Sequence, residues 1–217
     1  MMRSSLILAS ASPRRKKLLE QIGLQFSVSR EDINESRLAN EPPGKYVRRM
    51  AEEKASSALS RPQSFATIVI AADTLVVKDS RLMGKPVDRE DCLRMLKLLS
   101  DGDHRVLSAV CVATAALRKI VLHESIVSFG PISEQQAEDY WFSGEPKGKA
   151  GSYGIQGLGA LFVRGIAGSY SSVMGLPLFE TANLLKEFGI DCLAQANVTE
   201  NSILYTSAEE LNWTKKY

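Results

Sequence analysis

The chain has 217 residues, an apolar share of 44%, and 27 Lys and Arg against 25 Asp and Glu. That length suits one domain, or one two-lobed domain, with a substantial core, and the near balance of charge excludes the global basic field that non-specific nucleic-acid binding requires. Three scattered cysteines (Cys92, Cys111 and Cys192) and two histidines exclude a disulfide framework and a histidine-rich metal site, so the thiols are expected to be reduced.

In chain order, residues 5–9 read as a short buried strand. Ser12 is placed as an N-cap, Pro13 as the first helical residue, and Leu18, Leu19 and Ile22 as an apolar helix face that Gly23 ends. A strand around 25–29 leads into the polar loop "REDINESRLANEPPGK", whose two prolines argue against regular structure, and a helix follows over 46–59. "ATIVIAADTLVV" is β-branched and apolar until Asp73 interrupts it; "KDSR" makes a turn and "LMGKP" closes a hairpin-like excursion. Asp88 caps a helix over 88–99, strands follow at 106–114 and 119–129, and Ser133 caps a helix reaching 141. After a glycine-dense loop come a strand over 160–164 and a helix over about 172–188. Strands alternating with helices around a central hairpin predict an α/β fold with a mixed sheet and flanking helices. Residues 1–190 form the domain; from about 191 the chain reads as an appended polar tail with a weak helical signal in "SAEELNWTKKY".

No apolar stretch is long enough to span a bilayer, so no membrane is expected. The Ser- and Arg-containing start reads better as first strand and helix than as a transit segment. Nothing signals secretion, so the Asn197 sequon carries no weight and a cytoplasmic location is expected.

The segment "LILASASPRRKKLLEQIG" sets a strand against a helix N-terminus, a ready anion site, and adds Ser10, Ser12, Arg14 and Arg15 to it. Successive helical side chains diverge by about 100°, so one of the two arginines is expected to face the anion. Asp73 at the end of an apolar strand needs a partner, a hydrogen bond or a metal. Glu35, with Glu31 and Asp32, offers oxygen ligands for a hard cation. Lys54 in "AEEKA" and Lys85 in "MGKP" are further point charges for phosphate. "KGKAGSYGIQGLG" joins Lys147 and Lys149 to glycines that admit close backbone approach, and to Gln156, whose amide suits a nucleobase edge.

Together, "LASASPRR", "AEEKA", "AADT", "GKPVD", "KAGSYGIQG" and "GSYSSVMGLPL", over about residues 4–190, resemble the Maf proteins, nucleoside triphosphate pyrophosphatases related in architecture to the inosine triphosphate pyrophosphatases. The resemblance implies two lobes around a cleft, a divalent cation (Mg²⁺ or Mn²⁺), and hydrolysis of a nucleoside triphosphate to monophosphate and pyrophosphate. It makes Asp73 the catalytic carboxylate and puts Glu35, Lys54 and Lys85 on further polar cleft positions. Joined with the Ser10, Ser12, Arg14 and Arg15 turn, Thr74 and Gln156, the lysines Lys54 and Lys85 form the expected substrate-binding set. Of the two arginines, Arg14 is taken as the one facing the substrate and Arg15 as support. The expected metal ligands are Glu35 and Asp73, and for Asp73 the sequence does not separate base from ligand. Arg14, Thr74 and Gln156 occupy the positions that set substrate choice and resemble the dTTP/UTP subgroup, and a homodimer is the family expectation. One departure is Gly84, where relatives often carry an acidic residue before the lysine. Two other readings stay open: a nucleotide-binding regulator of cell division and septum formation without essential catalysis, and the same chemistry on another base.

Overall fold

The computed structural model of the protein describes residues 5–61 and 67–196. The helical signal near the C-terminus and the Asn197 sequon lie outside the described residues. Among the described residues seven strands form one sheet in the order β2-β1-β3-β5-β6-β7, with β4 added on β3. They are β1 (Ser5–Ala9), β2 (Ser27–Ser29), β3 (Thr67–Lys78), β4 (Arg81–Met83), β5 (Asp103–Ala113), β6 (Arg118–Phe129) and β7 (Val163–Ala167). β1 runs parallel to β2 and β3, and the remaining pairings are antiparallel, so the sheet is mixed as the element pattern predicts.

One face of the sheet is covered by α2 (Pro43–Leu59). Val47, Ala51, Ala55 and Ala58 of this helix lie against Ala71, Ala109 and Cys111, small residues that let helix and sheet approach closely. The other face packs α1 (Pro13–Gln21), α3 (Arg89–Leu99), α4 (Glu134–Phe142) and α6 (Leu178–Glu187) around Leu8, Leu19, Leu96, Phe129 and Leu185. Each such side chain removed from water stabilises the fold by roughly 1.5–3 kcal/mol. Cys92, Cys111 and Cys192 are buried free thiols, as expected. Among the described residues no helix is long and apolar enough to cross a membrane.

The edge of β3 positions the site. β1 pairs with residues 67–70 of that edge and β4 with residues 76–78, so residues 71–75 have no ladder partner there. The sheet therefore opens at the point where neighbours change from parallel to antiparallel, the kind of switch point where α/β sheets bind ligands. Alternation along the strand sends Asp73 to the α2 face, with Val69, Ala71 and Leu75, and Thr74 to the opposite face, with Ile70, Ala72 and Val76.

Several elements differ from the sequence expectation. The helix expected from 46 begins at Pro43, because a proline at the first helical position gives up an amide that has no partner there anyway. The strand expected over 160–164 is a 3₁₀ turn, Leu158–Phe162, followed by β7: the turn sends Phe162 against the rings of Phe129 and Tyr140. The helix expected over 172–188 is two helices, α5 (Tyr170–Met174) and α6. Gly175 takes φ 119° and caps α5, and Pro177 then forbids continuation. β5 starts three residues earlier than expected, at Asp103. β2 covers three residues, and a five-residue helix α7 (Cys192–Ala196) follows α6.

Candidate active site

The opening of the sheet forms a cleft of about 960 Å³. Its first wall is the β1–α1 turn. Ser12 caps α1, accepting weakly from the Arg15 amide at 3.5 Å, and the Ser12 amide donates to Ser10 Oγ at 3.2 Å. The turn thus consumes amides that an anion would otherwise meet, and positive charge comes mainly from side chains. Both hydroxyls accept from the protein, so each retains an O–H to donate.

Arg14 and Arg15 differ in their contacts. Arg15 Nε donates to Gly175 O at 2.8 Å, Nη1 to Ser10 Oγ at 3.2 Å and Nη2 to Thr74 Oγ1 at 3.2 Å. Its fork is occupied by the protein and ties α1 to β3 and to the α5–α6 break. Arg14 makes one long contact, Nε to Met174 O at 3.4 Å, and lines both the main cleft and an adjoining hollow. The Arg15 bond feeds a polarised chain. Ser108 Oγ donates its one proton to Ser172 O at 2.7 Å, so in its 3.0 Å contact with Thr74 it accepts. Thr74 therefore accepts from Arg15 and gives its own proton to Ser108 or to Gly175 O, 3.4 Å away, so it can offer a ligand only a lone pair.

On the other face of β3, Lys54 reaches up from α2. Its ammonium lies 2.8 Å from Asp73 Oδ1 and 2.8 Å from Glu35 Oε1, and Lys85 Nζ stands 3.7 Å from Glu35 Oε2. Burial raises the Glu35 pKa, but the hydrogen bond and charge of Lys54, with Lys85 adding, outweigh it and hold the carboxylate below its ordinary value. Tyr46 donates to the Glu35 carbonyl at 2.9 Å, fixing the loop. Burial and the charges of Asp73 and Glu35 push the Tyr46 phenol up to about 12, so it stays a donor. Asp73 Oδ1 and Glu35 Oε1 are both taken by the Lys54 ammonium, so a cation added beside it would meet their remaining oxygens. Among the described residues no group of three or more His, Cys, Asp or Glu could hold a metal. A divalent ion here would take two protein oxygens and complete its shell with phosphate and water, a habit that suits Mg²⁺.

The glycine-rich loop makes the far wall. Gly151 at φ 67° donates its amide to Gly84 O at 3.0 Å, joining this loop to the Lys85 turn; a Cβ there would lie 2.9 Å from Val76 Cγ2. Tyr153 is buried at the cleft with its hydroxyl 2.8 Å from His104 Nε2, and its ring meets Phe129 edge-on. Burial pulls the His104 pKa down to about 4, with Lys78 adding and Asp103 opposing. Beyond Arg14 lies the adjoining hollow of about 340 Å³, lined by Gln156, Lys149 and Glu145. Burial lowers the Lys149 pKa, and the Arg14 charge lowers it further while Glu145 opposes.

Ser10, Ser12, Arg14, Arg15, Glu35, Lys54, Asp73, Thr74 and Lys85 thus gather in one cleft, and Gln156 stands in its annex. Two sequence candidates do other work. Glu31 accepts from Ser29 and Ser57, each at 2.6 Å, and from Arg61 at 3.0 Å, so its buried carboxylate is a strut between loop and α2. Lys147 is exposed, with its ammonium over the Trp141 ring. Sequence reasoning missed Tyr46, Ser108, Tyr153 and Glu145: each is an ordinary residue locally, and only tertiary pairing reveals it.

Comparison with known proteins places this architecture. The family of Maf-like proteins matches residues 5–188. A dTTP/UTP pyrophosphatase of Hahella chejuensis (strain KCTC 2396) is 47% identical over 189 residues, covering 87% of this chain and 94% of the relative. One from Vibrio parahaemolyticus serotype O3:K6 (strain RIMD 2210633) is 48% identical over 186 residues, covering 85% and 97%. Among solved structures, the Staphylococcus aureus Ham1 protein aligns with 60% of this chain and 73% of its own, at 14% identity and a TM-score of 0.40. With the family match spanning nearly all of the described fold, this chain belongs to the Maf-like proteins.

Proposed function

We propose that this protein hydrolyses dTTP and UTP to the nucleoside monophosphate and pyrophosphate. The observation that carries the reading is the double use of β3, with Asp73, Lys54 and Glu35 on one face, Thr74 and Arg15 on the other, and one cleft open to both. Relatives at 47% and 48% identity named dTTP/UTP pyrophosphatase support both the reaction and the base.

The triphosphate lies along the Ser10–Arg15 turn, its charge met by Arg14 and Lys85, and donors already fixed in the protein act on it without reorganising. Asp73 orients the attacking water and takes its proton as the oxygen bonds to the α-phosphorus. The bond from that phosphorus to the bridging oxygen breaks, and pyrophosphate leaves. Lys54 holds the Asp73 carboxylate in one orientation and balances the charge that Glu35 adds beside it. Glu35 and Asp73 are the residues that would hold Mg²⁺ or Mn²⁺, whose chemistry is to neutralise phosphate charge and stabilise the departing pyrophosphate. Gln156 accepts from N3–H of uracil or thymine and donates to a neighbouring carbonyl, which leaves the lone pair of Thr74 for a sugar hydroxyl or water. The reading further includes a homodimer in the cytoplasm, to be tested by light scattering after size exclusion and by fractionation.

The deciding experiment follows pyrophosphate release from dTTP, UTP, CTP and purine triphosphates with Mg²⁺, Mn²⁺ and Co²⁺. dTTP and UTP should dominate. Preference for a purine, or tight nucleotide binding without release under any cation, would overturn the reading.

A further inference from the structure

Glu145 has no place in the chemistry described above, yet its carboxylate is the most heavily engaged group around the annex. Oε1 accepts from the Tyr140 hydroxyl at 2.7 Å and from the Gly159 amide at 3.0 Å, and Oε2 accepts from the Leu158 amide at 2.8 Å. The backbone carbonyl of the same residue accepts from Lys149 Nζ. One side chain thereby grips the chain on the C-terminal side of Gln156. Through the Tyr140 hydroxyl, which accepts from the Gly154 amide at 3.0 Å, it also grips the chain on the N-terminal side.

The glycines on either side fit this grip. A Cβ on Gly157 would come 2.1 Å from Glu145 Oε2, and one on Gly159 would come 2.7 Å from both the Gly154 carbonyl and the Tyr140 hydroxyl. The segment is closed on itself by Gly157 N donating to Gly154 O at 3.3 Å. Gln156 is exposed between these anchors and its side chain makes no hydrogen bond among the described residues, so the direction of its amide follows the backbone beneath it. The anchored carboxylate faces the same hollow as Arg14 and Gln156.

We propose that Glu145 is a positioning residue for base recognition: by clamping residues 154–159 it sets where the Gln156 amide meets the pyrimidine, without taking part in phosphate binding or hydrolysis. This rests on the dTTP/UTP reading of the cleft. Arg14, Lys149 and Gly154 line both the annex and the main cleft, but α1, α2 and the Lys85 turn, which build the phosphate wall, make no hydrogen bond to the Glu145 carboxylate.

The test uses the full chain and two probes, dTTP and inorganic tripolyphosphate; the latter carries the phosphates without a base and is read as a competitive inhibitor. Wild-type turnover of dTTP tests the underlying reading independently of any variant. Glu145→Gln keeps the size of the side chain but turns an amide donor toward a backbone N–H. The KM for dTTP should rise about ten-fold, the scale of one charge-assisted hydrogen bond. kcat should stay within about two-fold and the tripolyphosphate inhibition constant should be unchanged, because a grip on residues 154–159 leaves the phosphate wall intact. In a Gln156→Ala background the same change should add almost nothing, because a residue acting through Gln156 has nothing left to position. Tyr140→Phe, which keeps both carboxylate–amide bonds and loses the hydroxyl that joins Glu145 Oε1 to the Gly154 amide, supplies a milder variant should Glu145→Gln fold poorly; its KM should rise by a smaller factor in the same pattern. An unchanged KM in both variants overturns the proposal. So does an inhibition constant for tripolyphosphate that rises in step with KM, or full additivity with Gln156→Ala.

Discussion

Replacing Asp73 by Asn separates catalysis from structure at one atom. The Asp73 carboxylate is 14% exposed and accepts from Lys54 at 2.8 Å. Asn offers Lys54 a carbonyl oxygen in the same place, so the structural cost is the difference between a charge-assisted and a neutral hydrogen bond, about 1 kcal/mol. Glu35 keeps its own 2.8 Å bond to Lys54, so the ammonium is not orphaned. In a chain of this size 1 kcal/mol lowers Tm by roughly 2–4 °C. The kinetic cost is larger. An amide cannot take a proton from water, and loss of a positioned base typically costs 10²–10⁴ in rate, so kcat for dTTP should fall about 10³-fold, or ~4 kcal/mol. Pyrophosphate release under saturating dTTP, alongside a thermal melt of the same sample, reads both quantities. A kcat within ten-fold of wild type would show that Asp73 is not the base. A melt lowered by more than about 10 °C would instead make the lost rate a folding effect.

The two arginines should part in the same pair of assays. Arg15→Lys keeps the charge but cannot serve Gly175 O, Ser10 Oγ and Thr74 Oγ1 together, so unfolding free energy should drop by about 1–2 kcal/mol, whereas Arg14→Lys should raise the KM for dTTP and leave the melt unchanged. Acid should weaken the fold through His104. Its folded pKa near 4 lies below the unfolded 6.5, so the unfolded chain gains the proton first as pH falls. Stability contributed by the neutral imidazole is thus complete above pH 6.5 and lost toward pH 4, by up to ~3 kcal/mol, and urea melts at pH 7 and 4.5 should lose that increment in His104→Gln. Gly151→Ala adds a Cβ 2.9 Å from Val76 Cγ2 at φ 67° and should cost about 2 kcal/mol in chemical denaturation; a neutral result would mean the loop relaxes away from β3.

Much of the site was legible because its residues lie at sequence features with local physical meaning. Ser12 and Pro13 announce a helix start, and Asp73 stands out as a lone carboxylate in an apolar strand. Glycines mark the loop around Gln156. The joining of these features was not legible, since it depends on pairings distant in sequence: Lys54 with Asp73, Arg15 with Gly175, Tyr140 with Glu145 and Gly154. The break between α5 and α6 illustrates the difference. Its apolar periodicity runs on through residues 172–188, and only the backbone limits of Gly175 and Pro177 divide it. That division turns the Gly175 carbonyl toward Arg15, so a missed helix boundary was also a missed part of the site. Conversely, the Pro42–Pro43 pair looked like a helix breaker and is a helix start, because a proline's effect depends on which turn it occupies.

Because Asp73 and Thr74 are consecutive in β3 and face opposite sides of the sheet, the proposed hydrolytic carboxylate and the Arg15–Thr74–Ser108 chain are divided by the thickness of a single strand. The residues surrounding Thr74, from Arg15 through Ser108 to the α5–α6 break, belong to a different core from the residues that hold Asp73 to Lys54. On the proposed reading, substitutions around Thr74 should alter substrate contacts while Asp73 and Lys54 stay as they are. On that reading the scaffold lends itself to diversification, since one layer can be repacked while the other keeps its arrangement.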